Sequence, residues 1–201
     1  MITDFELFAV LIPEILLKLY GLEPSIEKFP KEKSIRLRLY NKKLFEFKRD
    51  VLGLPAGSKS IMKSLPSCII ETGNTNTKNL IAGIFDTDGC FKVVRKEGKF
   101  YPRATISNKS LILGEIKNFL ERNGVPCSIS INKDTKANVL YINGNKNVDT
   151  FFELIPIRNV KHLDRYSKWK EFVEGKRARG LAWIERLASE VNSSFFLKKP
   201  I

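Results

Sequence analysis

Two carboxylates one residue apart, Asp86 and Asp88, close the apolar run Ile81-Ala82-Gly83-Ile84-Phe85, and Gly89 follows them. Local physics supports two readings of this stretch. In one, Asp88-Gly89 is the turn of a β-hairpin, with Ile81–Phe85 as one strand and Phe91–Val94 as the next. In the other, Asn79–Thr87 is a helix that Asp88-Gly89 ends. The acids then sit at the negative end of a helix dipole, where a carboxylate is disfavoured by roughly 0.3–1 kcal/mol. Acids placed there need a compensating partner, and a bound cation is a common one.

Few other chemistries fit. One histidine, His162, and three scattered cysteines, Cys68, Cys90 and Cys127, make no zinc finger and no disulfide framework. The odd number of cysteines suits a reducing, intracellular setting. A Ser-His-Asp triad would need His162 as its base, and the chain has no nucleophile elbow, Walker loop or dinucleotide fingerprint. The N-terminus is apolar but carries Asp4, Glu6 and Glu14, unlike a signal peptide or a membrane span.

The 201 residues suffice for one domain or two small ones, and 43% apolar with 28% charged residues is ordinary for a globular protein. The net charge of +13 is not ordinary. A lysine-rich surface is its simplest source, and phosphate neutralisation is its common use, so a nucleic acid is the expected partner. No stretch combines a basic face with a clean apolar one, so a membrane surface is not expected.

The elements that must position these residues follow from periodicity. Residues 3–20 read as a helix capped by Thr3 or Asp4. Phe5, Phe8, Ile12, Ile15, Leu16 and Leu19 form its stripe, Pro13 predicts a kink, and Gly21 ends it. Two short strands follow. Ser34–Leu39 alternates strictly, turning Ile35, Leu37 and Leu39 inward and Arg36 and Arg38 outward. A short helix runs from Asn41 to Leu52, and residues 53–79 read as a connector. Beyond the acidic stretch come strands Phe91–Arg95 and Phe100–Ser107, and then helix Ser110–Asn123, with Leu111, Ile112, Ile116, Phe119 and Leu120 apolar, ended by Gly124. Strands Ser128–Asn132 and Val139–Asn143, helix Asn147–Leu154 and a helix from Leu163 complete the series. Tyr166, Trp169, Phe172 and Val173 face inward on this last helix, and a basic tail is expected to fray.

Landmarks recur. Gly21 and Gly124 stand 103 residues apart, as do Ile26 and Ile129; Pro55 and Pro156 are separated by 101, Lys59 and Lys161 by 102. The first segment therefore reads as the back half of the later unit. A first copy of the acidic stretch would project about 15 residues ahead of Met1.

Ile81-Ala82-Gly83-Ile84-Phe85-Asp86-Thr87-Asp88-Gly89 resembles the signature of the LAGLIDADG homing endonucleases, and the order of elements after it is similar to that family's αββαββα unit. The resemblance selects the helical reading. It implies an α+β fold with a four-stranded antiparallel DNA-binding saddle, preceded by a partial unit. The implied divisions are 1–65 (partial repeat), 66–175 (complete repeat) and 176–201 (helix end and basic tail). It further implies that two signature helices pack through small residues, here Ala82, Gly83 and Thr87, with Asp86 capping local backbone rather than binding metal. Asp88, with Gly89 beside it, would then meet a second acid and hold a divalent ion, Mg²⁺ by its preference for hard oxygens and phosphate. Lys161, and Lys59 in the partial unit, match the family's basic residue near the scissile phosphate.

Strand alternation sends Lys92, Val94 and Lys96, then Tyr101, Arg103 and Thr105, to the open face of the sheet. Ser128, Ser130, Asn132, Tyr141 and Asn143 continue that face, and Arg36 and Arg38 extend it on the partial unit. The chain departs from the family pattern in carrying one motif, so a lone Asp88 leaves the site one acid short. Two classes of function follow. One is a DNA endonuclease whose second acid comes from a homodimer or a separate fragment. The other is a binding protein that grips double-stranded DNA or structured RNA without cutting, like a maturase or a regulator, or an intein or intron remnant.

Overall fold

The computed structural model describes residues 7–29, 34–57 and 62–175, with Phe8, Phe29, Ser34 and Ile35 described by backbone alone. Thr3, Asp4, Phe5, Lys59 and the tail 176–201 lie outside the described residues.

The N-terminal helix is interrupted. A wide π-type turn, Leu7–Leu11, runs into α1, Ile12–Tyr20, with Pro13 in its first turn, where the missing N–H costs nothing. Leu7 is buried, whereas Leu19, expected inside, is exposed. Gly21 takes a left-handed conformation (φ +63°) and its N–H closes onto the Leu17 carbonyl at 2.8 Å. β1 (Ser25–Phe29) and β2 (Ser34–Arg38) pair antiparallel as a separate two-stranded sheet. The Asn41 side chain accepts from the Leu44 N–H at 2.8 Å and starts α2, Lys42–Glu46, which continues as a second wide turn, Phe47–Val51.

The expected connector contains a short helix, α3 (Ser67–Glu71). The acid-bearing helix, α4, runs Asn74–Asp88, five residues earlier than periodicity suggests. Gly73, at φ +106°, breaks the chain just before it, and Thr77 is buried one turn above Ile81, which extends the inward stripe. β3 (Gly89–Lys96), β4 (Lys99–Asn108), β5 (Ser128–Ile131) and β6 (Asn138–Asn143) form a four-stranded antiparallel sheet in the order β3-β4-β6-β5. α5 (Leu113–Arg122) begins later than expected. The Asn108 side chain holds the Ser110 N–H at 2.9 Å in a turn, and Leu111 is left exposed. α6 is Asn145–Leu154. α7, Val160–Gly175, starts three residues before Leu163, because the Asn159 side-chain oxygen accepts the Lys161 N–H at 3.1 Å and caps it.

The four helices cover one face of the four-stranded sheet: α4 over β3 and β4, α5 over β5 and β6, α6 over β4 and β6, and α7 over β3. Ile81, Phe85, Phe91, Ile106, Leu140 and Phe151 are completely buried between the layers. Burying each such side chain contributes about 1.5–3 kcal/mol. Trp169 and Phe172 are buried and Tyr166 and Val173 pack against the core, as the sequence suggests. No described helix is long and apolar enough to cross a membrane.

Candidate nucleic-acid interface and acidic site

α4 delivers its two acids to different places. Asp86 points inward and is buried. Its carboxylate accepts the backbone N–H of Arg158 at 3.1 Å and of Asn159 at 3.0 Å, and the Asn159 side-chain amide donates to the Asp86 carbonyl at 2.8 Å. The sequence reading had Asp86 capping local backbone. Instead it caps backbone 72 and 73 residues away, at the entry to α7. There the amide ends of α7 offset the charge that the end of α4 disfavours. Burial pushes the Asp86 carboxyl above its ordinary range, against the pull of the two backbone amides and the Arg158 charge.

Asp88 is exposed, and one of its oxygens accepts from the Asn108 side-chain amide at 3.2 Å. Asn108 is itself held through its other side-chain atom by Ser110, from both the N–H and the hydroxyl. Sequence reasoning passed over Asn108. Its signal was a polar residue ending a strand whose pairing brings it back to the helix end. Gly89 is extended (φ −89°), so it is not there for its backbone freedom. A Cβ at this position would collide with the carbonyl and ring of Phe85.

Cys90, two residues past Asp88, has a thiol raised by burial and pulled back by Arg165, Lys92 and Lys161. The charges of Arg165, Lys92 and Lys161 therefore reach the strand that leaves α4. In the first turn of α7 Lys161 is half-buried and His162 buried, and Arg165 is buried one turn after Lys161. The His162 ring lies 4.8 Å from the Phe85 ring. The sequence singled out Lys161 but not Arg165. An arginine on a helix carries no sign of burial until the helix is docked. Among the described residues, no group of three or more His, Cys, Asp or Glu side chains could hold a metal ion.

The open face of the sheet reads directly from the register. Lys92, Arg103 and Asn143 stand in one cross-strand row; Cys90, Thr105, Tyr141 and Ser128 stand in the next. Val94 and Tyr101 are opposed, as are Lys96 and Lys99. Arg103 donates to the Asn143 side-chain oxygen at 2.6 Å and lies 5.3 Å over the Tyr141 ring. Lys96, Tyr101, Ser128, Ser130 and Asn143 are exposed. Thr105 departs from expectation. It is buried in the middle of its row and its hydroxyl donates to the Cys90 carbonyl at 3.3 Å, so it braces β3 against β4. Asn132 is also committed, since its side-chain oxygen accepts the N–H groups of Asp134 and Thr135 and shapes the β5–β6 turn. Arg36 and Arg38 sit on the separate β1–β2 sheet, where Arg38 pairs with Glu27 at 3.1 Å.

The small face of α4 meets this chain's own N-terminal segment. Leu7, Leu11, Ile12 and Ile15 form one wall of a cleft of about 140 Å³, and Asn79, Ala82, Gly83, Asp86, Thr87 and Arg158 form the other. Thr87 turns back on its helix and donates to the Gly83 carbonyl at 3.0 Å. A Cβ added at Gly83 would meet nothing within 4 Å. The close approach of two backbones expected at Gly83 does not occur among the described residues.

The run through Asp88, the helix that carries it and the four-stranded sheet beneath coincide with residues 76–156, which match the family model described as the LAGLIDADG-like domain. Among solved structures, the homing endonuclease I-CvuI, in complex with the I-CreI target in the presence of Mg, is 16% identical over 64% of this chain and 87% of that one, with a TM-score of 0.49. The archaeal intron-encoded homing endonuclease I-Vdi141I, complexed with DNA, is 17% identical over 64% and 89%, with a TM-score of 0.47. The LAGLIDADG meganuclease I-AabMI, bound to uncleaved DNA, is 16% identical over 58% of this chain and 44% of that one, with a TM-score of 0.45. No curated protein sequence matches. Within residues 76–156, Asp88 is exposed, as are Lys96, Tyr101, Ser128, Ser130 and Asn143 on the open face of the sheet.

Proposed function

We propose that this chain grips double-stranded DNA across the open face of its four-stranded sheet, and that Asp88 is one of two carboxylates in a site for hydrolysis of the DNA backbone. The observation that carries this reading is the position of Asp88. It is exposed at the end of α4, and the Asn108 side-chain amide orients it at 3.2 Å. One carboxylate fits half of a hard-oxygen site, so the other acid comes from a second copy or a separate fragment. Mg²⁺ or another divalent cation held by such a pair, with the Gly89 carbonyl as a further candidate ligand, supplies water activation and neutralises charge on the leaving oxygen. Lys161 places its charge towards the scissile phosphate, and Lys59 takes that part in the first repeat. Arg103 and Asn143 read base edges, with Tyr101, Tyr141, Lys92, Lys96 and Ser130 beside them holding backbone and bases. The three free cysteines favour an intracellular setting.

A second reading is a DNA- or RNA-binding relative that does not cut. Leu7, Leu11 and Ile15 facing Gly83 favour it, because a second signature helix must displace or flank them. Mg²⁺-dependent nicking of DNA from the host locus separates the two. Wild type is expected to nick, and Asp88→Asn to lose nicking while keeping its DNA affinity. Equal nicking by both removes Asp88 from the chemistry, and binding by wild type without any nicking selects the second reading.

A further inference from the structure

An arginine side chain carries five N–H donors in a planar fork and no acceptor, so its partners must offer electron density. Arg103 stands near the middle of β4, opposite Lys92 on β3 and Asn143 on β6. Two cations thus face each other in a row that contains no acid, an arrangement that is unfavourable until an electron-rich group arrives. Two contacts already hold the guanidinium. Its Nε–H donates to the Asn143 side-chain oxygen at 2.6 Å, and its central carbon lies 5.3 Å from the centre of the Tyr141 ring. Because arginine accepts nothing, the Asn143 amide can meet it only through its oxygen.

The platform beneath is fixed as well. Tyr141 lies on β6, an inner strand, opposite Thr105 on one side and Ser128 on the other. Thr105 is itself buried and bonded to the Cys90 carbonyl. The backbone that carries Asn143 is pinned twice. The Asn147 side-chain amide donates to its carbonyl at 3.0 Å, and the next N–H, that of Gly144, donates to the Pro102 carbonyl at 3.1 Å. Arg103 has therefore lost much of its rotamer freedom before any ligand binds. With Nε engaged, the N–H groups on the two terminal nitrogens are the ones left for a ligand. They form a pair of donors that matches the paired acceptors O6 and N7 on the major-groove edge of guanine. The same bond changes Asn143. Reading adenine needs the amide oxygen to accept from N6 while the nitrogen donates to N7, and here that oxygen is turned to Arg103.

Resting on the reading that the open face of the sheet grips double-stranded DNA, we infer that Arg103 and Asn143 act as one guanine-reading clamp, with Tyr141 as the positioning residue beneath the guanidinium. Arg103 donates from both terminal nitrogens to one guanine. Asn143 selects no adenine of its own; it holds the fork at Nε. Lys92, across the row, is a flexible point charge that adds attraction without choosing a base.

The test is selection of bound duplexes from a randomised DNA library by the full chain in EDTA, followed by anisotropy on the selected site. One guanine preference is expected to vanish in Arg103→Lys, which keeps the charge but not the fork. Replacing that guanine by 7-deazaguanine, which lacks the N7 acceptor but still pairs with cytosine, should weaken wild-type binding about tenfold and Arg103→Lys binding less than about twofold. Tyr141→Leu should lose the same discrimination and Tyr141→Phe regain it, since the ring and not the hydroxyl carries the guanidinium. A tyrosine with only a structural role would change affinity for both duplexes alike and leave their ratio untouched. The clamp is overturned by a selected site with no guanine that Arg103→Lys releases, by an adenine preference lost in Asn143→Ala, or by equal wild-type affinity for guanine and 7-deazaguanine. If no duplex is bound at any salt concentration, the DNA reading and the clamp fall together; binding without the guanine preference strikes the clamp alone.

Discussion

Asp86 is held at both its carboxylate and its carbonyl by the backbone and side chain that open α7, so removing it strands buried donors. Asp86→Ala is expected to cost about 1–3 kcal/mol, checked by urea denaturation. The pH dependence has a definite sign. The folded carboxyl is raised above 3.8, so the folded state holds its proton more tightly than the unfolded state. Its contribution is fully present below that unfolded value and is lost as pH rises through the raised folded value. Asp86→Asn removes this dependence, and the difference between wild type and variant should therefore change across that window and be flat above it. The two glycines of the motif divide as well. Gly89→Ala drives a methyl into the Phe85 carbonyl and ring and should cost about 1–3 kcal/mol. Gly83→Ala meets no neighbour and should stabilise α4 by about 0.5–1 kcal/mol through helix propensity. Thermal melts of the two variants should move in opposite directions.

At the scale of elements, α4 is held by what it packs on rather than by its own propensity. Asn, Thr and Gly make much of its length, and its ordering comes from Ile81, Ala82 and Phe85 entering the layer above the sheet. Phe85 meets Phe151, Phe152 and His162, so α4, α6 and α7 share one aromatic cluster. Phe151→Ala should cost about 3–5 kcal/mol and loosen all three helices together. Hydrogen exchange reporting loss of protection in α6 alone would break that coupling. The opposite face of the sheet carries the Arg103–Asn143 pair, whose members occupy each other in the free protein.

At the scale of the molecule, a net charge of +13 is available to neutralise phosphate in the proposed DNA complex. If six to ten phosphates are contacted, DNA affinity falls on the order of 10³–10⁵ between 50 and 200 mM salt. Arg103→Ala should weaken binding and relax sequence preference, whereas Lys96→Ala should weaken binding to all sequences alike and reduce the salt slope. Fluorescence anisotropy across a salt series measures both, and identical slopes for wild type and Lys96→Ala would place Lys96 off the interface.

Much of this was legible in the residues themselves. Alternation set the strands and their faces. Gly21, Gly124, Asn41 and Pro13 marked helix ends and the kink, because capping and φ restriction act within a few residues. The spacing of Asp86 and Asp88 singled out the acidic stretch. Tertiary structure decided the rest, since it depends on groups far apart in sequence. Asp86 is structural because the entry to α7 arrives beside it, and Thr105 is internal because β3 and β6 flank it. Gly83 faces Leu11 and Ile15 across a cleft because the N-terminal helix lies beside α4. Asp88 alone in the motif keeps its carboxylate on the surface. Periodicity could not separate it from Asp86, because the difference lies in what each one meets once α4 is laid on the sheet.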